Sequence, residues 1–447
     1  MLPRMRTRTL AFPLLGSFLL AAPLLASCTV HVDLTPLPEP PLAAGCNPLG
    51  GGEKEDCVTP FPSNYYRSPD DKGVMRISFP PGVLPASAKG VALDPALLLG
   101  RDGFSPAVQL VAYFPATIDG SNLPAPRHEE DSLKVSSPVQ LFDFETGQRI
   151  PLFAELDRNA TDGDRQALLI HPQVRLRPKA RYVVALSGLR GSDGQPLAPL
   201  SGFAAIRNGD VEPGSIRARL AETYKELFPF LEKQGIAKKS LQLAWDFTTG
   251  DDSQVTGQLV KMRDQALAKL TPTDPPEPPS PLFTIDKVEN APRDPLLRQV
   301  IGSFRSTSFL SDDQNGRLLK DESGTPKARG YGRFPLVVHI PKCAQTATGP
   351  LPVMIYGHGL FGGALGEMDS GYQREIVNRL CMVQVGTDWI GLTEADGLYV
   401  AGQVMSNFNN FVQITDRLQQ AHVNFAVLAR LVKDGSLGQI PELRVNG

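Results

Sequence analysis

The sequence predicts a multidomain chain, a β-rich first half followed by an open, largely parallel α/β sheet, and three observations carry that expectation. Short apolar runs separated by turn residues recur from Gly73 to Gly250. The stretch "TPTDPPEPPSP", residues 271–281, then interrupts the chain with prolines and reads as an extended linker. Beyond it, strand-like runs alternate with helical ones, the pattern of an α/β sheet.

Composition bounds the reading. With 447 residues, 41% apolar and 21% charged, the chain has ample material for more than one core. Its net charge of −2 and dispersed Lys and Arg exclude a nucleic-acid footprint. Gly and Pro, at 41 each, fit a turn-rich β portion.

At the N-terminus, Arg4, Arg6 and Arg8 precede "LAFPLLGSFLLAAPLLA", too short and too interrupted by proline for a spanning helix and of the length of a secretory signal. It ends in "LASC", which resembles the lipobox of bacterial lipoproteins and implies that Cys28 receives a lipid. Thr29 after the cysteine implies outer-membrane delivery. An exported chain leaves Cys46, Cys57, Cys343 and Cys381 free to form two bridges, and chain order favours Cys46 with Cys57 and Cys343 with Cys381. Residues 1–27 are therefore expected as a signal peptide and 28–70 as a lipidated, Pro- and Gly-rich spacer.

Residues 71–253 carry the strand pattern: "VMRISFPPG", "VQLVAYFPA", "QALLIHPQ" and "ARYVVALSG" alternate with turns, and "FDFETGQRIPLF" reads as a hairpin about Thr146-Gly147. That spacing predicts an immunoglobulin-like β-sandwich. A helix at "SIRARLAETYKELFPFLEKQ" interrupts it, with Leu220, Tyr224, Leu227 and Leu231 at helical spacing, before "LQLAWDFTTG" returns as a strand. Residues 254–283 are a helix and the proline linker; 284–447 form the second domain. There "RQVIGSFRSTSFL", "RFPLVVHIP", "PVMIYG" and "VQVGTD" read as strands. "GYQREIVNRLCM" is a helix with Tyr372, Ile376 and Leu380 on one face, and "TDRLQQAHVNFAVLARLVKDG" is another, starting near Thr415 or Asp416 and ending at Gly435. Its expected stripe is Leu418, Ala421, Phe425, Leu428 and Val432.

The chemistry concentrates in "GHGLFGG", residues 357–363, placed straight after the strand "PVMIY". In open α/β sheets ligands bind at the carboxyl ends of strands. Glycines there turn the backbone sharply and free N–H groups, which a developing oxyanion needs. Strand, "GHGLFGG", helix, strand and "TDWIGL" resemble the front half of an α/β-hydrolase of the lipase and esterase family. More weakly, lipidated N-terminus, β-rich domain and hydrolase domain together are similar to bacterial lipases described as virulence-factor-like. The resemblance makes His358, Gly359, Leu360 and Phe361 the oxyanion loop, with the Leu360 and Phe361 N–H groups as donors and His358 shaping the loop. Asp388 and Trp389, after the next strand, are expected to line the substrate pocket or to pack. The implied substrate is an apolar acyl ester; the membrane is reached through the lipid anchor, and no cofactor or metal is expected.

The family's GxSxG elbow is missing from the sequence. Ser192 in "RGSDG" and Ser436 in "DGSLG" each lack the first glycine and read as turn serines. His31, His128, His171, His339 and His422 all precede the place where the family's base belongs. The chain therefore reads as a truncated lipase/esterase-like hydrolase, inactive as given, whose "PVMIY" strand forms an apolar sheet edge. The alternative is a surface-anchored, non-catalytic binding or adhesion lipoprotein. "SDDQNGRL", with Asp312, Asp313 and Asn315, lacks the spacing of a calcium loop and reads as a hairpin turn.

Overall fold

Alternation in "LVAY", "LFAEL" and "ALLIHP" places every second side chain inward, and these segments form one antiparallel sheet. A computed structural model describes residues 42–50, 57–98, 101–160, 166–270, 281–313, 316–322 and 324–445. The signal segment, residues 28–41 of the spacer with Cys28 and His31, and its residues 51–56 lie outside the described residues, as do Asn315 and residues 271–280 of the proline linker. The chain is mixed α/β with several sheets.

A short hairpin, β1 (Arg67–Pro69) with β2 (Met75–Ile77), opens the fold. Two three-stranded antiparallel sheets follow, one ordered β3 (Leu110–Tyr113), β6 (Ala167–Pro172), β5 (Leu152–Leu156), the other β4 (Val139–Asp143), β7 (Arg181–Ser187), β8 (Leu241–Thr248). They share a single core, to which Trp245 contributes a fully buried indole whose N–H donates to the Pro62 carbonyl at 2.8 Å.

The expected hairpin at "FDFETGQRIPLF" is a sheet crossing instead. Asp143 accepts the N–H groups of Glu145 and Thr146, and Gly147 sits at φ +72°, so the turn forms. After one bridge, Phe142 to Arg149, β4 joins β7 and β5 joins β6. Strands β4, β7 and β8 are buried along nearly their whole length, on both faces. Part of that cover is helical: α1 (Ser201–Asn208) and α2 (Ile216–Lys233) join the same core, and Tyr224 of α2 donates its hydroxyl to the Ala244 carbonyl of β8. Ser215 caps α2 by accepting the Ala218 N–H.

Two further helices, α3 (Asp252–Val255) and α4 (Gly257–Ala268), follow. Met262 and Ala266 of α4 are buried in a second core with Val300, Phe304 and Leu428, so this helix packs with the second half of the chain. Both cores lie within one compact unit, residues 39–447.

The sheet of the second half has five strands in the order β12 (Val353–Tyr356), β13 (Val383–Gly386), β11 (Gly330–Pro341), β10 (Leu296–Ser308), β9 (Phe283–Asn290). It is not largely parallel. Only β12 and β13 run parallel; the three other pairings are antiparallel. Parallel pairing needs a long crossover, and only the segment between β12 and β13 supplies one, with α5 (Ala364–Met368) and α6 (Gly371–Leu380). Edge strand β9 exposes Asp286 and Lys287, charges that discourage edge pairing, whereas β12 presents Val353 to Tyr356 at the opposite edge.

After β13 come α7 (Glu394–Tyr399), a π-helical turn at Val400–Val404, and α8 (Phe411–Lys433). Two stripes differ from expectation. In α6 the face of Tyr372 and Leu380 is exposed, 72% and 59%, and the helix seats on the sheet through Val377. Helix α8 begins at Phe411, ahead of Thr415, and buries Ile414, Ala421, Val427, Leu428 and Leu431, with Leu418, Phe425 and Val432 half-buried at its flanks. Asp416 is no cap: it is buried and accepts from Arg317 Nε at 2.6 Å, tying the loop after β10 to α8. In that loop Gly316 N–H donates to the Asp312 carbonyl, closing the turn.

Disulfides join Cys46 to Cys57 and Cys343 to Cys381. The second ties the turn after β11 to the C-terminus of α6, where Cys381 takes the left-handed cap conformation.

Candidate functional site

Strand β12 delivers the chain at its carboxyl end into Gly357-His358-Gly359-Leu360-Phe361-Gly362-Gly363. His358 is buried and braces this loop with both ring nitrogens. Nε2 accepts the Trp389 N–H at 2.7 Å, so Nδ1 donates to the Gly359 carbonyl at 2.8 Å. A second brace is Glu367 of α5: Oε1 accepts the Gly359 N–H at 2.9 Å and Oε2 accepts the Tyr356 hydroxyl at 2.8 Å. Burial first, then the hydrogen bond and charge of Glu367, push the Tyr356 phenol up to about 12. A Cβ at Gly362 would collide with the Glu367 carboxylate, so a larger residue there would push Glu367 out of this brace.

Between these braces the backbone is strained. Phe361 stands at φ +58°, a region costly for a bulky side chain and concentrated at functional sites. Its ring packs over Gly397 of α7, where a Cβ would lie 2.9 Å from Phe361 Cγ. Among the described residues, neither the Leu360 nor the Phe361 N–H donates a hydrogen bond to the protein. Two adjacent amides at a strand end thus have no protein acceptor among the described residues.

Phe361, Gly362 and Gly363 line a cleft of about 1090 Å³. Asp388 lines it too, with Oδ1 accepting the Ala364 N–H at 2.9 Å. Trp389 does not line it: its ring stacks on Phe425 at 4.1 Å, edge-on to His422, and its contribution to the loop is the backbone N–H on His358.

The cleft wall also holds a buried ion pair that sequence reading misses. Asp396 Oδ1 accepts from Arg417 Nε at 2.8 Å, while Oδ2 accepts from Gly391 N–H, Thr393 N–H and Thr393 Oγ1. Burial raises the Asp396 carboxyl, but the Thr393 and Arg417 bonds outweigh it and hold the group below its usual range. Thr393 bridges to Gly362, so the pair supports the glycine loop from behind. Thr393-x-x-Asp396 is a capping-box pattern readable in the sequence; Glu367 and Arg417 leave no comparable local signal.

No nucleophile faces a base here. Among the described residues no Ser, Thr or Cys is hydrogen-bonded to a histidine. Ser192 and Ser436 lie in turns. His128 meets Glu130, His171 meets Glu155 and Gln109, His422 bonds the Leu418 carbonyl, and His339 is fully buried against Gln299. Among the described residues no group of three or more His, Cys, Asp or Glu is placed to hold a metal ion.

No known protein-family model matches the chain, and no curated protein matches it.

Proposed function

We propose that this chain is the ester-binding front of a carboxylic ester hydrolase of the lipase and esterase kind, exported and lipid-anchored to the cell envelope through Cys28. In this reading residues 71–253 are an immunoglobulin-like domain elaborated by α1 and α2, and 284–447 are the first part of an α/β-hydrolase sheet. The observation that carries it is the pair of unpaired amides at Leu360 and Phe361, in a strained loop braced by His358 and Glu367 at the carboxyl end of β12. The acyl carbonyl oxygen would sit against these amides, which stabilise charge as the tetrahedral intermediate forms. The nucleophile and its base would come from outside the described residues. The competing reading, a surface-anchored binding lipoprotein, draws on the absence of a Ser–His pair among those residues.

Titration with butyrate, a product-like anion, separates the two. In protein carrying ¹⁵N-Leu and ¹⁵N-Phe, the Leu360 and Phe361 amide signals should shift together and saturate. Leu360→Pro removes one donor and should abolish the response at Phe361. If butyrate moves neither signal, the loop is not an oxyanion site; responses confined to β3–β8 would favour the binding lipoprotein.

A further inference from the structure

Seven charged side chains line the cleft, an odd wall for a purely apolar ligand. Four are tied to protein partners: Asp396 and Arg417 to each other, Arg333 to the Pro281 carbonyl and Thr284, and Asp313 to Arg329 and Ser308. Glu367 is occupied by Gly359 and Tyr356. What remains is directional. Asp388 Oδ2 and the exposed Glu394 carboxylate accept nothing from the described residues. Arg417, 5% exposed, keeps Nη1 without a hydrogen-bond partner among the described residues. The cleft therefore offers free acceptors, carries an unpartnered donor buried in its wall, and includes Tyr331 and Tyr399 in its lining.

Each simple ligand class fails against this set. A wholly apolar alcohol would desolvate the carboxylates and the guanidinium without replacing their bonds. An anionic group would meet Asp388, Glu394 and Glu367. A cation would meet Arg417 and Arg333, and these carboxylates are not grouped as a metal site. A hydroxyl donates and accepts at once, so a ring bearing several satisfies carboxylates and guanidinium together, while its C–H face lies on aromatic rings.

We infer that the ester taken by this cleft carries a sugar as its alcohol half, with Asp388, Glu394 and Arg417 reading the hydroxyls. This rests on the oxyanion-loop reading for the position of the ester, and it names the class of molecule that loop would act upon. The acyl group stays apolar; selectivity lies in the alcohol.

The test is calorimetric titration of the full chain with 6-O-octanoyl-glucose, ethyl octanoate and octanoylcholine, which share one acyl chain. The sugar ester should bind at least roughly tenfold more tightly than the other two. Glu394→Gln, an exposed change that leaves folding intact, should weaken the sugar ester about three- to tenfold and leave ethyl octanoate unchanged. Equal binding of ethyl octanoate, tighter binding of octanoylcholine, no binding of any of the three, or indifference of the sugar ester to Glu394→Gln overturns the inference. The amide signals of Leu360 and Phe361 separate this from the underlying reading. If they respond to butyrate while the sugar shows no preference, only the sugar assignment fails; if the sugar binds and they stay still, the oxyanion loop fails and the sugar site stands.

Discussion

Removing the Asp396 carboxylate is the most revealing perturbation of the cleft wall. The group is 4% exposed and faces Arg417, itself 5% exposed, at 2.8 Å. Asp396→Ala leaves a buried guanidinium without its counter-charge, which costs about 3–5 kcal/mol in comparable sites. Loss of the capping box adds about 1 kcal/mol. Asp396→Asn keeps an acceptor for Thr393 and Gly391 and should cost less. Arg417→Met removes the buried cation and leaves Asp396 its other three donors, so about 1–3 kcal/mol is expected. The double variant Asp396→Asn with Arg417→Met should lose less than the two singles added, because each single strands the other partner. Native-state hydrogen exchange of the α8 amides is the suitable assay, since the two cores need not open together. The folded carboxyl is held below its ordinary value, so its contribution is complete above about pH 4 and is lost as pH falls through the folded value. A cost under about 1 kcal/mol for Asp396→Ala, the range of exposed pairs, would refute the picture of a buried, mutually dependent pair.

His339 is pushed down to about 4 by burial and by the nearby Arg374 and Arg293 charges. The unfolded chain therefore binds a proton between about pH 6.5 and 4 that the folded chain does not, and stability should fall as pH drops through that window. His339→Gln should flatten that part of the profile in urea unfolding, and an unchanged slope would show that other groups carry it. Cys28→Ala should abolish detergent-phase partitioning of the exported protein; a variant that still partitions with membranes rules out the lipid anchor.

Local periodicity carried much of the fold. Helix α2 and strands β7, β8, β10 and β11 form where apolar spacing and turn residues predict them. Direction and partnership were illegible, because they depend on what packs where. "FDFETGQRIPLF" has every local mark of a hairpin, yet its strands belong to different sheets. Tyr372, Ile376 and Leu380 keep helical spacing, but α6 meets the sheet through the neighbouring Val377. The glycine loop stood out because its signal is contiguous. Its supports did not: Glu367 reaches back 8 residues to Gly359, and Arg417 lies 21 residues from Asp396, contacts that exist only once α5, α7 and α8 are in place.

The central claim concerns two amides and is best tested by direct observation of an anion upon them. A crystal structure of the chain with butylphosphonate, whose tetrahedral oxygens mimic the intermediate of ester hydrolysis, should place one phosphonyl oxygen roughly 2.7–3.1 Å from both the Leu360 and Phe361 nitrogens, with the butyl chain beside Phe361. A phosphonate held instead by Arg417 or Arg333, with the Leu360 and Phe361 amides left to solvent, would contradict the account.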